Sequence, residues 1–254
     1  MDKAREIFNQ CCTEIAARLA DTGFQYRPSK HSAISASGDL NFEIHFQSSF
    51  RNFLVTGGDA DRLKRVASKL TSFGDLATFG NVTLIEHASV RSKILKNFRK
   101  SLPNSWTADD VVTGGQIGNL RSPAMWVEFN LANPYTRTEV IAEARRLIDT
   151  VALPYFDLFK NPADVVARLL DGSMPWTWEA SALEYVCCFG SMEQALQLLN
   201  RFINESPSRT AEYRDALLRY RSDGTPEVWE SRAPARLAKA AIILGLDGRL
   251  GDLL

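Results

Sequence analysis

Between residues 3 and 20, Ile7, Phe8, Cys11, Ile15 and Leu19 recur at spacings of three and four, while Arg5, Glu6, Glu14 and Arg18 fall mostly elsewhere on the wheel. The pattern predicts an amphipathic helix that ends near Gly23. From Leu40 to Gln47 the period changes to two, with Leu40, Phe42, Ile44 and Phe46 on one side and Asn41, Glu43, His45 and Gln47 on the other. Strict alternation of this kind predicts a half-buried strand. Residues 30 to 36 are its expected hairpin partner across Ser37-Gly38-Asp39, and Phe50 to Val55 a third short strand. A short helix is expected from Asp59 to about Leu70 and a strand from Val82 to Glu86. A further helix runs from Ser92 to Lys100, with Ile94, Leu95 and Phe98 on its apolar face. The stretch through Gly114, Gly115 and Gly118 reads as a polar loop. Met125 to Leu131 predicts another strand, and about Thr138 to Leu153 a long helix broken by Pro154.

Beyond that point the periodicity is helical only. Asn161-Pro162 places an N-cap before proline at the first helical position, Val165, Val166, Leu169 and Leu170 fill one face, and Asp171-Gly172 stops the helix. Further helices are expected at about 177–188, 191–204, 208–221 and 232–244. The shift near Asn161 to Pro175 predicts an α+β protein: a mixed helix and antiparallel-sheet domain over residues 1–160, then an all-helical C-terminal region over 161–254. The adjacent helix pairs have a tetratricopeptide-like outline without a repeat of fixed period.

Charge narrows the function classes. The chain has 30 Lys+Arg against 30 Asp+Glu in 254 residues, so a nucleic-acid partner, which calls for a basic excess, is not expected. No apolar run approaches the roughly 18 to 20 residues of a membrane-spanning helix, and Met1-Asp2-Lys3-Ala4-Arg5-Glu6 opens a charged helix unlike a signal peptide. A cytoplasmic protein with no membrane partner is therefore expected. The cysteines form two adjacent pairs, Cys11-Cys12 and Cys187-Cys188, each inside a predicted helix. Neighbours on a helix point about 100° apart, unlike a CxxC knuckle, so reduced thiols are expected.

Candidate chemistry is sparse. Of the three histidines, His45 shares a strand face with Glu43, and His87 follows Glu86 near the end of a second strand. If those strands pair, Glu43, His45, Glu86 and His87 supply the residue types of a metal or acid-base site. The same alternation is what any strand with a wet outer face produces, and whether the two pairs meet stays open. A nuclease variant would add Asp39, but His45 stands where such folds carry lysine. Arg91, Lys93, Lys96, Arg99 and Lys100 form a basic run that reads as the solvated face of a short helix. Thr56-Gly57-Gly58-Asp59 and Thr113-Gly114-Gly115-Gln116-Ile117-Gly118 lack a phosphate-loop lysine and read as turns. Phe156, Phe159, Trp176 and Trp178 cluster in sequence around Met174-Pro175, where packing between the two halves is the first expectation.

Several phrases are similar to a family of bacterial proteins designated domain of unknown function 4304. These are Ala20-Asp21-Thr22-Gly23-Phe24, Phe42-Glu43-Ile44-His45-Phe46-Gln47-Ser48-Ser49, Gly80-Asn81-Val82 and Trp126-Val127-Glu128-Phe129-Asn130-Leu131. The resemblance spans about residues 3–170 and implies an α+β fold. It implies no catalytic residues and leaves the C-terminal helices outside.

Without a convergent polar constellation or a cofactor motif, the expectation is a non-catalytic protein-binding protein, in its concrete form an immunity protein that neutralises a cognate toxin. Glu43, Trp126, Glu128 and Trp178 are its expected partner-binding residues. No cofactor is expected. The first alternative is a metal-dependent hydrolase or nuclease using Glu43, His45 and Glu86 or His87. A second is a peptide-binding scaffold in the C-terminal helices, with a concave surface lined by residues such as Trp178, Tyr185 and Tyr213.

Overall fold

Alternation and helical stripes give the elements their places. The computed structural model describes residues 3–49, 52–54, 79–103, 109–121, 123–176, 178–223 and 233–249. Helix α1 is Lys3–Leu19. Strands β1 (Gln25–Arg27), β2 (Ser32–Ser37) and β3 (Leu40–Ser48) follow. Two short strands, β4 (Phe53–Leu54) and β5 (Gly80–Asn81), pair with each other, and β6 is the long strand Thr83–Ser92. Helix α2 (Lys93–Ser101) leads to β7 (Val111–Gln116), and β8 is Phe129–Asn130. The main sheet has the order β1-β2-β3-β6-β7, with β8 also paired to β6. Helices α3 (Arg137–Leu147) and α4 (Leu153–Leu158) flank a π turn, Ile148–Ala152. The remaining helices are α5 (Pro162–Asp171), α6 (Glu179–Phe189), α7 (Met192–Ile203), α8 (Pro207–Asp223) and α9 (Ala233–Ile243). The fold is α+β.

The chain forms two compact units. One takes in residues 1–36, 41–89 and 115–155, the other 37–40, 90–114 and 156–254. In the first, α1 buries Phe8, Cys11, Cys12, Ile15, Ala16 and Leu19, and β3 buries Phe42, Ile44 and Phe46. That is the apolar side each pattern predicts. Leu84 and Ala88 are fully buried along β6. Transferring such apolar surface out of water is the main stabilising term, at roughly 25 cal/mol per Å².

In the second unit, α6 is apolar nearly all round, burying Ala180, Ala182, Leu183, Glu184, Tyr185 and Val186. Its neighbours explain why: α2, α5, α7 and α9 all pack against it. Phe159, Trp176, Tyr185 and Phe189 stack in a chain of rings 4.6–6.1 Å apart. The caps follow the sequence signals. Asn161 accepts from the Ala163 amide at α5, and Gly172 closes that helix in the left-handed region. Ser191 and Gln194 form a reciprocal capping box on α7.

Four local expectations change. Gly114 and Gly115 lie inside β7 and not in a loop. Pairing to β6 and burial of Val112, Thr113 and Gln116 outweigh glycine's weak strand preference. Pro154 does not end the long helix. A proline ring clashes with the carbonyl four residues back, and the wide π turn before α4 takes up that misfit. The strand expected over Met125 to Leu131 shrinks to β8, because only Phe129 and Asn130 find partners on β6. Ile94 is 44% exposed, while Arg99 takes its expected place on the buried side of α2. The helix expected at 59–70, most of the strand expected at 50–55 and the turn at Thr56 to Asp59 lie outside the described residues.

Candidate functional site

The outer face of the sheet in the first unit carries most of the predicted site residues. Period-two geometry sends Glu43, His45 and Gln47 of β3 to the side opposite Phe42, Ile44 and Phe46. On β6, His87 falls on the outer side with Ile85 and Ser89, whereas Glu86 falls inward with Leu84 and Ala88. The structure therefore brings Glu43, His45 and His87 to one face and takes Glu86 to the other. The four-residue constellation is not assembled. Among the described residues, no three His, Cys, Asp or Glu side chains converge in a metal-ligating group. Asp39 sits in the β2–β3 turn, where its carbonyl accepts from the Lys93 amide at 3.1 Å.

Glu86 is fully buried, and neither carboxylate oxygen has a hydrogen-bond partner. Burial pushes its pKa well above the ordinary carboxylate value, favouring the protonated acid. It bears on Cys12 of α1, whose thiol is raised chiefly by burial. Cys11 is pushed up to about 11, Cys187 to about 12 and Cys188 to about 11, burial again leading. All four thiols are free, and their raised pKa values leave them protonated and unreactive at neutral pH.

His87 meets Trp126 edge to face, ring centroids 6.5 Å apart. Burial and the neighbouring His45 lower its pKa, so a neutral imidazole faces the indole. Its Nε2 is buried without a partner. Trp126 itself is 56% exposed and Met125 is 52% exposed. The segment that presents them is pinned from beneath. The Met125 amide donates to the Gly118 carbonyl at 3.1 Å, and Gln116 Nε2 donates to the Val127 carbonyl at 2.5 Å. A Cβ on Gly118 would lie 2.1 Å from the Met125 carbonyl oxygen, so only glycine admits this approach. Glu128 is exposed two residues beyond Trp126. Met125 and Trp126 thus give this surface an exposed apolar anchor, with the His87 ring against the indole.

In the second unit, Trp178 is 55% exposed at the start of α6. Tyr185 and Tyr213 are buried inside the helical core and line no surface.

Sequence reasoning missed the strongest electrostatic feature. Arg99 and Glu184 are both buried, and Arg99 Nε and Nη2 donate to Glu184 Oε2 at 3.0 and 2.7 Å. Nη1 donates to Asp109 Oδ1 at 2.9 Å and to the Val111 carbonyl at 2.6 Å. The guanidinium thus ties α2 to α6 and to the start of β7. Glu184 Oε1 has no hydrogen-bond partner, and burial raises the carboxyl's pKa against the opposing pull of Arg99. A signal was present: Ser92, Leu95 and Arg99 are spaced by three and four and share the buried stripe of α2. Lys93 and Lys100 do lie on its solvated face.

Compared with models of known protein families, with curated proteins and with solved structures, the chain matches none.

Proposed function

We propose that this protein is a non-catalytic bacterial protein-binding protein, in its concrete form a cytoplasmic immunity protein that neutralises a cognate toxin. One observation carries the reading: Trp126 stands half-exposed on a segment braced from below, with His87 against its ring. An indole held outward on a rigid support loses little entropy on binding, and tryptophan is one of the side chains enriched at interface hot spots. Met125 extends the apolar area. Glu128, exposed two residues beyond it, and Glu43, on the same sheet face as His87, contribute carboxylates, which favours a partner with a basic face, as an enzyme that cleaves nucleic acid has. The resemblance to the domain of unknown function 4304 family belongs to the same proposal.

The test is neutralisation. The product of the gene beside this one is expressed in a sensitive bacterium with and without this protein. The reading expects growth arrest by the neighbour alone, rescue by the wild-type chain and loss of rescue with Trp126→Ala at equal protein levels. A harmless neighbour, or a toxic one that this protein leaves untouched, overturns it.

A further inference from the structure

Two imidazoles share the outer face of the first unit's sheet. His45 of β3 and His87 of β6 lie on neighbouring strands, and His45 is close enough to bear electrostatically on His87. Their surroundings differ. His45 is exposed, whereas His87 is half-buried and its ring meets the Trp126 indole edge to face, centroids 6.5 Å apart. His87 Nε2 is buried and has no hydrogen-bond partner.

A neutral ring can leave Nε2 without hydrogen by carrying its proton on Nδ1. A protonated ring has no such freedom, because both nitrogens are then donors and a charged N–H lies buried with no acceptor. Leaving a buried donor unsatisfied costs more when the group is charged. The attraction of a cation for an indole face offsets little of this, since it is weak where the ring is as exposed as Trp126. The protonated imidazole satisfies Nε2 by turning it to water, and that movement takes the ring away from the indole.

The charged groups around His87 do not relieve the protonated form in place. On β3 the same face carries Glu43 and His45, and no carboxylate accepts from Nε2. On the segment that bears Trp126, Glu128 is exposed and Arg121 donates to the Met125 sulfur. Farther along β6, Arg91 is paired with Asp110 at 2.9 Å, and β7 holds no titratable side chain. Burial and His45 together hold His87 below the ordinary histidine value of 6.5. Protonation also adds positive charge to a face whose carboxylates favour a basic partner.

We infer that the Trp126 face is proton-operated: in acid His87 takes up a proton, turns Nε2 out to water and leaves the indole unsupported, which releases a basic partner. The release rests on the reading of Trp126 as a partner anchor. The uncoupling of His87 from Trp126 does not, and it is observable in the protein alone.

The test is a pH titration of the full chain followed by the NMR signals of the His87 ring and of the Trp126 indole N–H. Both are expected to move with one midpoint below 6.5. His87→Phe keeps a ring beside the indole and takes up no proton, so its indole signal is expected to stay still through that range. His45→Gln removes a neighbour that opposes the charge, so the shared midpoint is expected to rise. With the purified product of the neighbouring gene, the wild-type Kd is expected to rise by at most about tenfold per pH unit below the midpoint, the limit for one proton, and the His87→Phe Kd to lose that dependence. An indole signal that ignores the His87 titration, or that moves equally in His87→Phe, overturns the inference. So does a Kd that stays constant while His87 titrates. Absence of a complex at every pH contradicts the partner reading instead, and the indole signal still decides whether His87 lets go of Trp126.

Discussion

Replacing Arg99 by leucine isolates the energetics of the buried pair. Its guanidinium and the Glu184 carboxylate are only 3% and 1% exposed. Without Arg99, the Glu184 carboxylate stays buried with no counter-charge, and the Val111 carbonyl loses its donor. Breaking a buried pair from one side destabilises by about 3–5 kcal/mol. Burial already raises the pKa of Glu184, so in the variant it can escape its unpaired charge by taking up a proton, which places the loss near the lower end, about 3 kcal/mol. For a chain of this size that corresponds to a fall in Tm of about 6–12 °C. Urea denaturation monitored by near-ultraviolet circular dichroism reads it, because Trp176 and Tyr185 lie in the same unit. The double variant Arg99→Leu with Glu184→Leu is expected to regain most of the loss, since a buried pair can be replaced by apolar residues at little net change. Asp109 is 57% exposed and can turn to water. A single variant that loses under about 1 kcal/mol, as solvent-exposed pairs do, refutes the reasoning.

Three further outcomes follow from the same structure. Gly118→Ala forces a Cβ toward the Met125 carbonyl and should destabilise by at least about 1–3 kcal/mol while shifting Trp126 fluorescence; an unchanged spectrum and midpoint count against the close approach. Glu86 has a folded pKa raised above its ordinary 4.5, so its contribution is present below that value and is lost as pH rises through the folded one. Glu86→Gln, which cannot ionise, should therefore gain stability over wild type as pH rises above the ordinary 4.5 toward the raised folded pKa, and parallel unfolding profiles for the two proteins oppose the assignment. Ser191→Ala removes the reciprocal cap of α7 and should lower stability by about 1 kcal/mol in chemical denaturation, with no effect at all contradicting the capping geometry.

Much of this architecture is written locally. The period-two run of β3 and the three-four stripe of α1 depend on which side faces the core, and both are readable without knowing what covers them. Asn161-Pro162 and Gly172 mark the ends of α5 through backbone chemistry alone. What escaped reading depends on partners distant in sequence. β7 contains two glycines and becomes a strand because β6 is beside it. Arg99 is buried because Glu184 waits 85 positions away. Glu86 and His87 are adjacent in sequence, yet strand geometry separates them, and the run Leu84, Glu86, Ala88, Val90 already hints that the carboxylate points inward. Trp126 was expected at a partner face, but the exposure of Met125 beside it had no local sign, since an apolar residue in a β-like run reads equally well as core.

The most direct test of the partner face is a calorimetric titration of this protein with the purified product of the neighbouring gene, comparing wild type with Trp126→Ala. An unchanged fold is expected for the variant, because the indole is 56% exposed. The account predicts a saturable complex for wild type and a loss of at least about 2 kcal/mol, roughly thirtyfold in Kd, for Trp126→Ala. Equal affinity for the two proteins, or no complex with either, contradicts it.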